Sequence, residues 1–273
     1  MREFDVGSGV LVALHGHGDD PATARTWGRR IAPAGWEVLA PGGPTGEDGV
    51  RSWFPTGARG ADGDAVRRSA GRIGRLVTEL RGAGRPVVVA GFSQGGALAL
   101  CLATAGVQPD AVVCLCGFLP DVDEPGWADG LVAAPASGPV HPPTLVLSGE
   151  GDEHVPAFLG EDAAAVLAQG GRDVTSAVLP GAHAVSPEMS DRARAWVGQQ
   201  LARRLQGSLG LPVDRVHAGA ELVSGDAIAD LAVAYERLGF HAAYVTDHPA
   251  PDDRWLAGGG HPATAASGPG SAA

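Results

Sequence analysis

A chain of 273 residues suffices for one large domain or two modest ones, and with 44% apolar residues it can bury a sizeable core. Its formal charge of −11 sets 20 basic residues, all arginine, against 31 acidic ones. With no basic cluster in the sequence, this balance argues against nucleic acid and anionic membrane surfaces as partners. The N-terminus, Met1 to Gly9, has no apolar run of leader length, and three cysteines are too few for a disulfide framework. A cytoplasmic protein without membrane insertion is therefore expected.

Val10–Leu14 reads as a strand, followed by a loop through Gly16, Gly18 and Pro21. Glu37–Ala40 is a second strand, stopped by Pro41-Gly42-Gly43-Pro44. From Asp64 to Arg81 the apolar residues Val66, Ile73, Leu76, Val77 and Leu80 have helical spacing. The near-continuous apolar run Pro86–Ala90 is a central parallel strand, leading through Gly91–Gly96 into a helix from Ala97 to Ala105. Ala111–Cys116, Thr144–Ser148 and Val174–Leu179 are further strands, while Glu161–Ala168 and Pro187–Leu205 are helices. Leu119 to Pro143, rich in Pro, Gly and Ala, reads as a long surface connection. This alternation predicts an α/β fold: a mostly parallel sheet covered by helices on both faces.

Residues 1–205 hold that pattern, and 206–212 read as a linker. Beyond it, Ala218–Val223, Asp226–Leu238 and Ala242–Val245 predict a short β-α-β appendage within 213–257. The Gly-, Pro-, Ala- and Ser-rich tail 258–273 is expected to be disordered. Cys114 and Cys116 alternate along a predicted strand and so should share one face. No further ligand stands at metal-binding spacing beside them, and with Cys101 they read as small buried core residues.

Gly91-Phe92-Ser93-Gln94-Gly95 fits the G-x-S-x-G pattern, and it lies between an apolar strand and an apolar helix as that pattern requires. The turn is so sharp that its flanking positions need glycine. A serine hydroxyl is a weak nucleophile until a base stands beside it. In a nucleophile-elbow fold the acid and then the histidine follow the serine, on loops after later strands. Asp152 follows the strand 144–148, and His183 follows the strand 174–179, each at the carboxyl end of a parallel strand. Glu150 and Glu153 compete with Asp152 for the acid's role, and His154 with His183 for the base's. Position favours Asp152 and His183. Oxyanion donors are expected from the backbone N–H of Gln94 and of His17, the latter in the loop after the first strand. A metal site built from His15, His17, Asp19 and Asp20 lacks convergent further ligands, so no metal is assigned.

These motifs, with Leu14-His15-Gly16-His17-Gly18-Asp19-Asp20, Ser52-Trp53-Phe54, Gly117-Phe118-Leu119-Pro120 and Ser148–Pro156, resemble the phospholipase/carboxylesterase family of α/β-hydrolases, which includes acyl-protein thioesterases. The resemblance spans about residues 8–205. It implies hydrolysis of small-molecule carboxylic esters or thioesters with no cofactor, with Ser93, Asp152 and His183 as the triad and His17 and Gln94 as oxyanion donors. It also offers Trp53 and Phe54 as substrate-binding walls, with ordinary packing as the competing reading. Where the family more often has an apolar or small residue, this chain has His17. Cys114-Leu115-Cys116 likewise replaces the more usual small or serine residues. A catalytically silent scaffold that binds a ligand or partner is the alternative, disfavoured by the intact triad.

Residues 211–264 carry a second resemblance, to the start of luciferase-like, deazaflavin-dependent oxidoreductases, through Asp226–Phe240, Ala243–His248 and Pro249–Trp255. That family is built on a closed (β/α)₈ barrel of about 250 residues. An isolated β-α-β unit leaves two unpaired edges and no cofactor pocket, so no oxidoreductase activity is expected.

Overall fold

The computed structural model describes residues 9–57, 60–102, 106, 109–124, 126–127, 141–205, 209–210 and 243–244. The chain runs through β1 (Val10–Leu14), α1 (Pro21–Ile31), β2 (Glu37–Leu39), β3 (Thr56–Gly57), β4 (Gly60–Ala61) and α2 (Gly63–Gly82). It continues through β5 (Val87–Phe92), α3 (Gln94–Leu100), β6 (Ala111–Leu115) and β7 (Thr144–Gly149). After these come α4 (Ala157–Gln169), β8 (Val174–Leu179) and α5 (Pro187–Leu205). Six strands form one sheet in the order β2-β1-β5-β6-β7-β8, with every pairing parallel. β3 and β4 make a separate antiparallel pair that the sequence reading did not anticipate.

Every residue of β1, β5, β6 and β7 is buried, which is why these strands read as unbroken apolar runs. On one face Val10, Val12, Leu14, Val87 and Val89 pack against Val66, Ile73 and Val77 of α2 and against α3. On the other, Leu11, Ala13, Val88 and Ala90 meet Ala24, Trp27 and Ile31 of α1 with Ala193, Trp196 and Val197 of α5. Because all the strands are parallel, their carboxyl ends line a single edge, where loops from different strands meet.

The stretch expected to be a loop after β1 contains α1. The Asp20 carboxylate accepts the Thr23 N–H at 2.7 Å and caps the helix, and Pro21 occupies its first position. Ala24, Trp27, Gly28 and Ile31 then fall at helical spacing and are buried. A β-carbon on Gly28 would stand 2.9 Å from Val38, so the missing side chain is what lets α1 lie close to the sheet. α3 starts at Gln94, three residues before the expected Ala97, directly after the turn at Ser93.

Cys114 and Cys116 do not share a face. β6 ends at Leu115, and Cys116 takes a positive φ of 46°, which breaks the alternation. Cys114 joins the α2 and α3 side of the core, and Cys116 joins the α1 and α5 side. All three cysteines are buried, and none of them forms a disulfide.

The chain divides into two compact units, Met1–Leu201 and Ala202–Ala273. In the second, β9 (Leu209–Gly210) pairs in parallel with β10 (Ala243–Tyr244). β9 falls inside the expected linker, and β10 inside the expected strand Ala242–Val245. The expected strand at 218–223, helix at 226–238 and tail at 258–273 lie outside the described residues. So does the second resemblance, apart from β10. Among the described residues, no helix is long and apolar enough to cross a membrane.

Candidate active site

Ser93 sits between β5 and α3 with φ 53° and ψ −119°, a conformation that a residue with a β-carbon adopts only under constraint. Its N–H donates to the Leu115 carbonyl at 2.8 Å, tying the turn to β6. The flanking glycines answer to backbone on both sides. A β-carbon on Gly91 would overlap the Gly95 carbonyl, and one on Gly95 would overlap the Leu14 carbonyl. The turn therefore holds Ser93 out from the ends of the strands.

His183 Nε2 lies 3.0 Å from Ser93 Oγ, and His183 Nδ1 lies 2.6 Å from Asp152 Oδ2. An ionised carboxylate only accepts, so the proton belongs on Nδ1, which leaves the Nε2 lone pair facing the serine hydroxyl. Phe92 packs against the His183 ring at 4.8 Å, and the His154 ring stacks on it at 5.2 Å. His154, the competing base, thus flanks His183 rather than bridging serine and acid. Glu150 and Glu153 are exposed, whereas Asp152 is buried.

Asp152 is held by its own loop. Its Oδ1 accepts the N–H groups of His154 and Val155 at 2.9 and 2.8 Å. Gly149 lets the two strand-end loops approach, since a β-carbon there would lie 2.8 Å from the Gly181 carbonyl. The Gly151 N–H then donates to that carbonyl at 2.9 Å. Burial is the strongest single influence on the Asp152 carboxyl and pushes it up. The Val155 N–H, the His183 hydrogen bond and charge, and the His154 N–H together outweigh it, so the group lies below its ordinary 3.8.

A depressed carboxylate pKa contributes stability that is fully present above the ordinary value and is lost as pH falls through the lower folded value. Wild type should therefore melt above Asp152→Asn at pH 6 and lose that lead as pH falls below about 4. Each kcal/mol corresponds to about 2–4 °C in a domain of this size. Calorimetry across pH 3–7 checks this, and a gap that does not change with pH would contradict it.

The sequence reading missed a fourth member of this group. The Cys116 thiol hydrogen-bonds to the Asp152 carboxylate, while burial and the neighbouring Asp152 charge push its pKa up to about 12. It stays protonated and acts as a donor. Donor atoms of Cys116, Asp152 and His183 lie within 4.8 Å of one another. Hydrogen bonds join them: His183 Nδ1 to Asp152 at 2.6 Å, and the Cys116 thiol to the same carboxylate. The positive φ at Cys116, which turns the thiol to this side of the sheet, leaves no mark in the sequence.

On the other side of Ser93, the Gln94 side chain is buried. Its Oε1 accepts from the Trp53 N–H at 2.8 Å and the Ser52 hydroxyl at 3.1 Å, and its Nε2 donates to the Phe54 carbonyl at 2.8 Å. The Trp53 indole N–H donates to the His15 carbonyl at 2.8 Å. His15 is itself fully engaged: Nε2 accepts the Gly43 N–H at 2.9 Å, which leaves Nδ1–H to donate to the Gly16 carbonyl at 2.7 Å. With Asp20 capping α1, two of the four groups weighed as metal ligands are committed to backbone instead. Trp53 and Phe54, expected to wall a substrate pocket, are almost wholly buried in the core. With the exposed His17 they also border a cavity of about 950 Å³ that extends along α2. A smaller cavity of about 370 Å³ touches His183 and Phe92 on the α1 side.

A wholly parallel sheet with a strained serine after β5, a carboxylate after β7 and a histidine after β8 is the architecture of an α/β-hydrolase. The chain belongs to the phospholipase/carboxylesterase family, whose profile matches residues 5–197. Zea mays acyl-protein thioesterase 2 shares the fold at 24% identity and a TM-score of 0.60, over 74% of this chain and 97% of that one. Arabidopsis thaliana SOBER1 aligns at 22% identity and a TM-score of 0.60, over 71% and 99%. The Bacillus cereus carboxylesterase aligns at 17% identity and a TM-score of 0.58, over 72% and 90%. No curated protein matches the chain.

Proposed function

We propose that the protein is a serine hydrolase that cleaves carboxylic esters or thioesters of small molecules through an acyl-enzyme intermediate. The observation that carries this reading is the continuous hydrogen-bond chain Ser93–His183–Asp152. Ser93 Oγ attacks the carbonyl carbon while His183 Nε2 takes its proton. The imidazolium formed is stabilised by Asp152 and returns the proton to the departing alcohol or thiol. Water then repeats the sequence on the acyl-enzyme and restores the serine.

The backbone N–H groups of His17 and Gln94 receive the negative charge on the tetrahedral oxygen. Gln94 opens α3, so its N–H lacks an intrahelical acceptor. The loop carrying His17 is pinned by the Gly18 N–H on the Arg51 carbonyl at 2.8 Å. No step of this chemistry calls for a cofactor. Three buried cysteines, none of them in a disulfide, support a reducing compartment, the cytoplasm.

A fluorophosphonate, which traps activated serines, tests the reading beside a panel of 4-nitrophenyl esters and thioesters. One phosphonyl group per chain on Ser93, with parallel loss of ester cleavage, is expected. Folded protein that neither reacts nor cleaves any substrate of the panel would overturn it.

A further inference from the structure

The chain carries a formal charge of −11, yet the cavity that starts at His17 and Ser52 is lined by Arg67, Arg68, Arg72 and Arg75, with Asp48 the one carboxylate lining it among the described residues. The sequence shows no basic run because these residues gather by helical geometry. Arg68, Arg72 and Arg75 recur at i, i+4 and i+7 on α2, a stripe about 10 Å long.

Their surroundings separate them. Arg67 is committed to Asp64 at 2.9 Å and Glu124 at 2.8 Å, and Arg68 lies 3.9 Å from Asp62. Arg72 donates to the Gly42 carbonyl at 2.9 Å, which orients its guanidinium toward the 42–52 side without neutralising it. Among the described residues, neither Arg72 nor Arg75 meets a carboxylate. Two uncompensated guanidinium groups thus share a cavity with the loop assigned to the oxyanion.

We propose that this cavity is a substrate subsite for an anionic group, and that the preferred esters carry a carboxylate or phosphate which Arg72 and Arg75 bind while the ester carbonyl reaches Ser93. The inference rests on the hydrolase reading and adds the substrate class. The guanidinium fork can bind two oxygens of either anion at once, and its field counters the repulsion that an acidic protein exerts on an anionic substrate.

Two pairs of esters test it. Mono-4-nitrophenyl glutarate and 4-nitrophenyl pentanoate share a leaving group and acyl length but differ in a terminal carboxylate. 4-Acetoxybenzoate and its methyl ester differ in a charge on the leaving group. In at least one pair, kcat/KM for the anionic member should exceed that of the neutral member about tenfold at low salt, a preference that about 0.5 M salt compresses. In Arg72→Gln/Arg75→Gln that ratio should fall about tenfold, consistent with modest energies for each exposed charge. Arg25→Gln/Arg29→Gln, which removes the same two charges from α1 across the sheet, should leave the ratio unchanged. A ratio near one in both pairs, or one that survives the double substitution, would overturn the subsite while neutral-ester cleavage keeps the hydrolase. If no ester is cleaved, the hydrolase reading falls, and equilibrium dialysis of intact mono-4-nitrophenyl glutarate decides the anion site. Binding lost in the double variant supports the site; equal or absent binding overturns it.

Discussion

Replacing Ser93 with alanine is expected to lower kcat for any ester the protein cleaves by about 10⁴–10⁶-fold, with little change in KM. The substitution removes Oγ, 3.0 Å from His183 Nε2, and leaves the β-carbon that keeps the turn strained. His183→Ala should cost about as much, and the double variant hardly more, because nucleophile and base act as one unit. On the proposed mechanism, the residual rate then reports the His17 and Gln94 N–H groups acting without covalent chemistry. Ser93→Gly separates chemistry from structure. It should be equally inactive yet more stable, by about 1–2 kcal/mol, because glycine adopts a positive φ without the cost that a β-carbon imposes. Ester kinetics and thermal melts of the three single variants test this. An inactive Ser93→Gly that melts below wild type would mean that the turn is not strained as its φ of 53° implies.

What the sequence discloses about this site is what recurs locally along the chain. Fully buried parallel strands must be apolar on both faces, so β1, β5, β6 and β7 announce themselves; β8, an edge strand with no buried residue, is marked only by Val174, Val178 and Leu179, and each strand end marks a place on the common edge. Ser93, Asp152 and His183 were named from those ends, and the structure brings them into hydrogen-bond contact. Contacts that cross the chain leave no such trace. Gln94 reaches back about forty residues to hold Trp53 and Phe54, and nothing in their local sequence marks a glutamine partner. Cys116 was misplaced because period-two alternation was carried one residue past the end of β6, where the backbone turns to positive φ. α1 was legible but overlooked. The Asp20-Pro21 start and the spacing of Ala24, Trp27 and Ile31 are local signals, obscured by the glycine-rich loop just before them. The arginines of α2 were visible one by one, and only the cavity shows that they line one place.

Gly95→Ala is expected to cost about 3 kcal/mol of stability and at least about 100-fold in kcat/KM, through backbone alone. The new methyl group would overlap the carbonyls of Leu14 and His15, both main-chain groups that no rotamer change can move aside. Relief requires either α3 to withdraw from β1 or the end of β1 to shift. The second movement carries the loop that presents the His17 N–H, and a displacement of about 1 Å at a catalytic group is enough for a loss of that size. Gly198→Ala supplies the contrast. Its β-carbon meets nothing within 4 Å on an exposed turn of α5, so the usual helix preference should stabilise the protein by about 0.5–1 kcal/mol. Chemical denaturation of both variants separates the two effects, and 4-nitrophenyl ester kinetics follows the site. A Gly95→Ala protein as stable and active as wild type would show that the contact between α3 and the end of β1 is loose. The position of the His17 N–H would then have to be set by other contacts, with the Gly18 bond to Arg51 the first to examine.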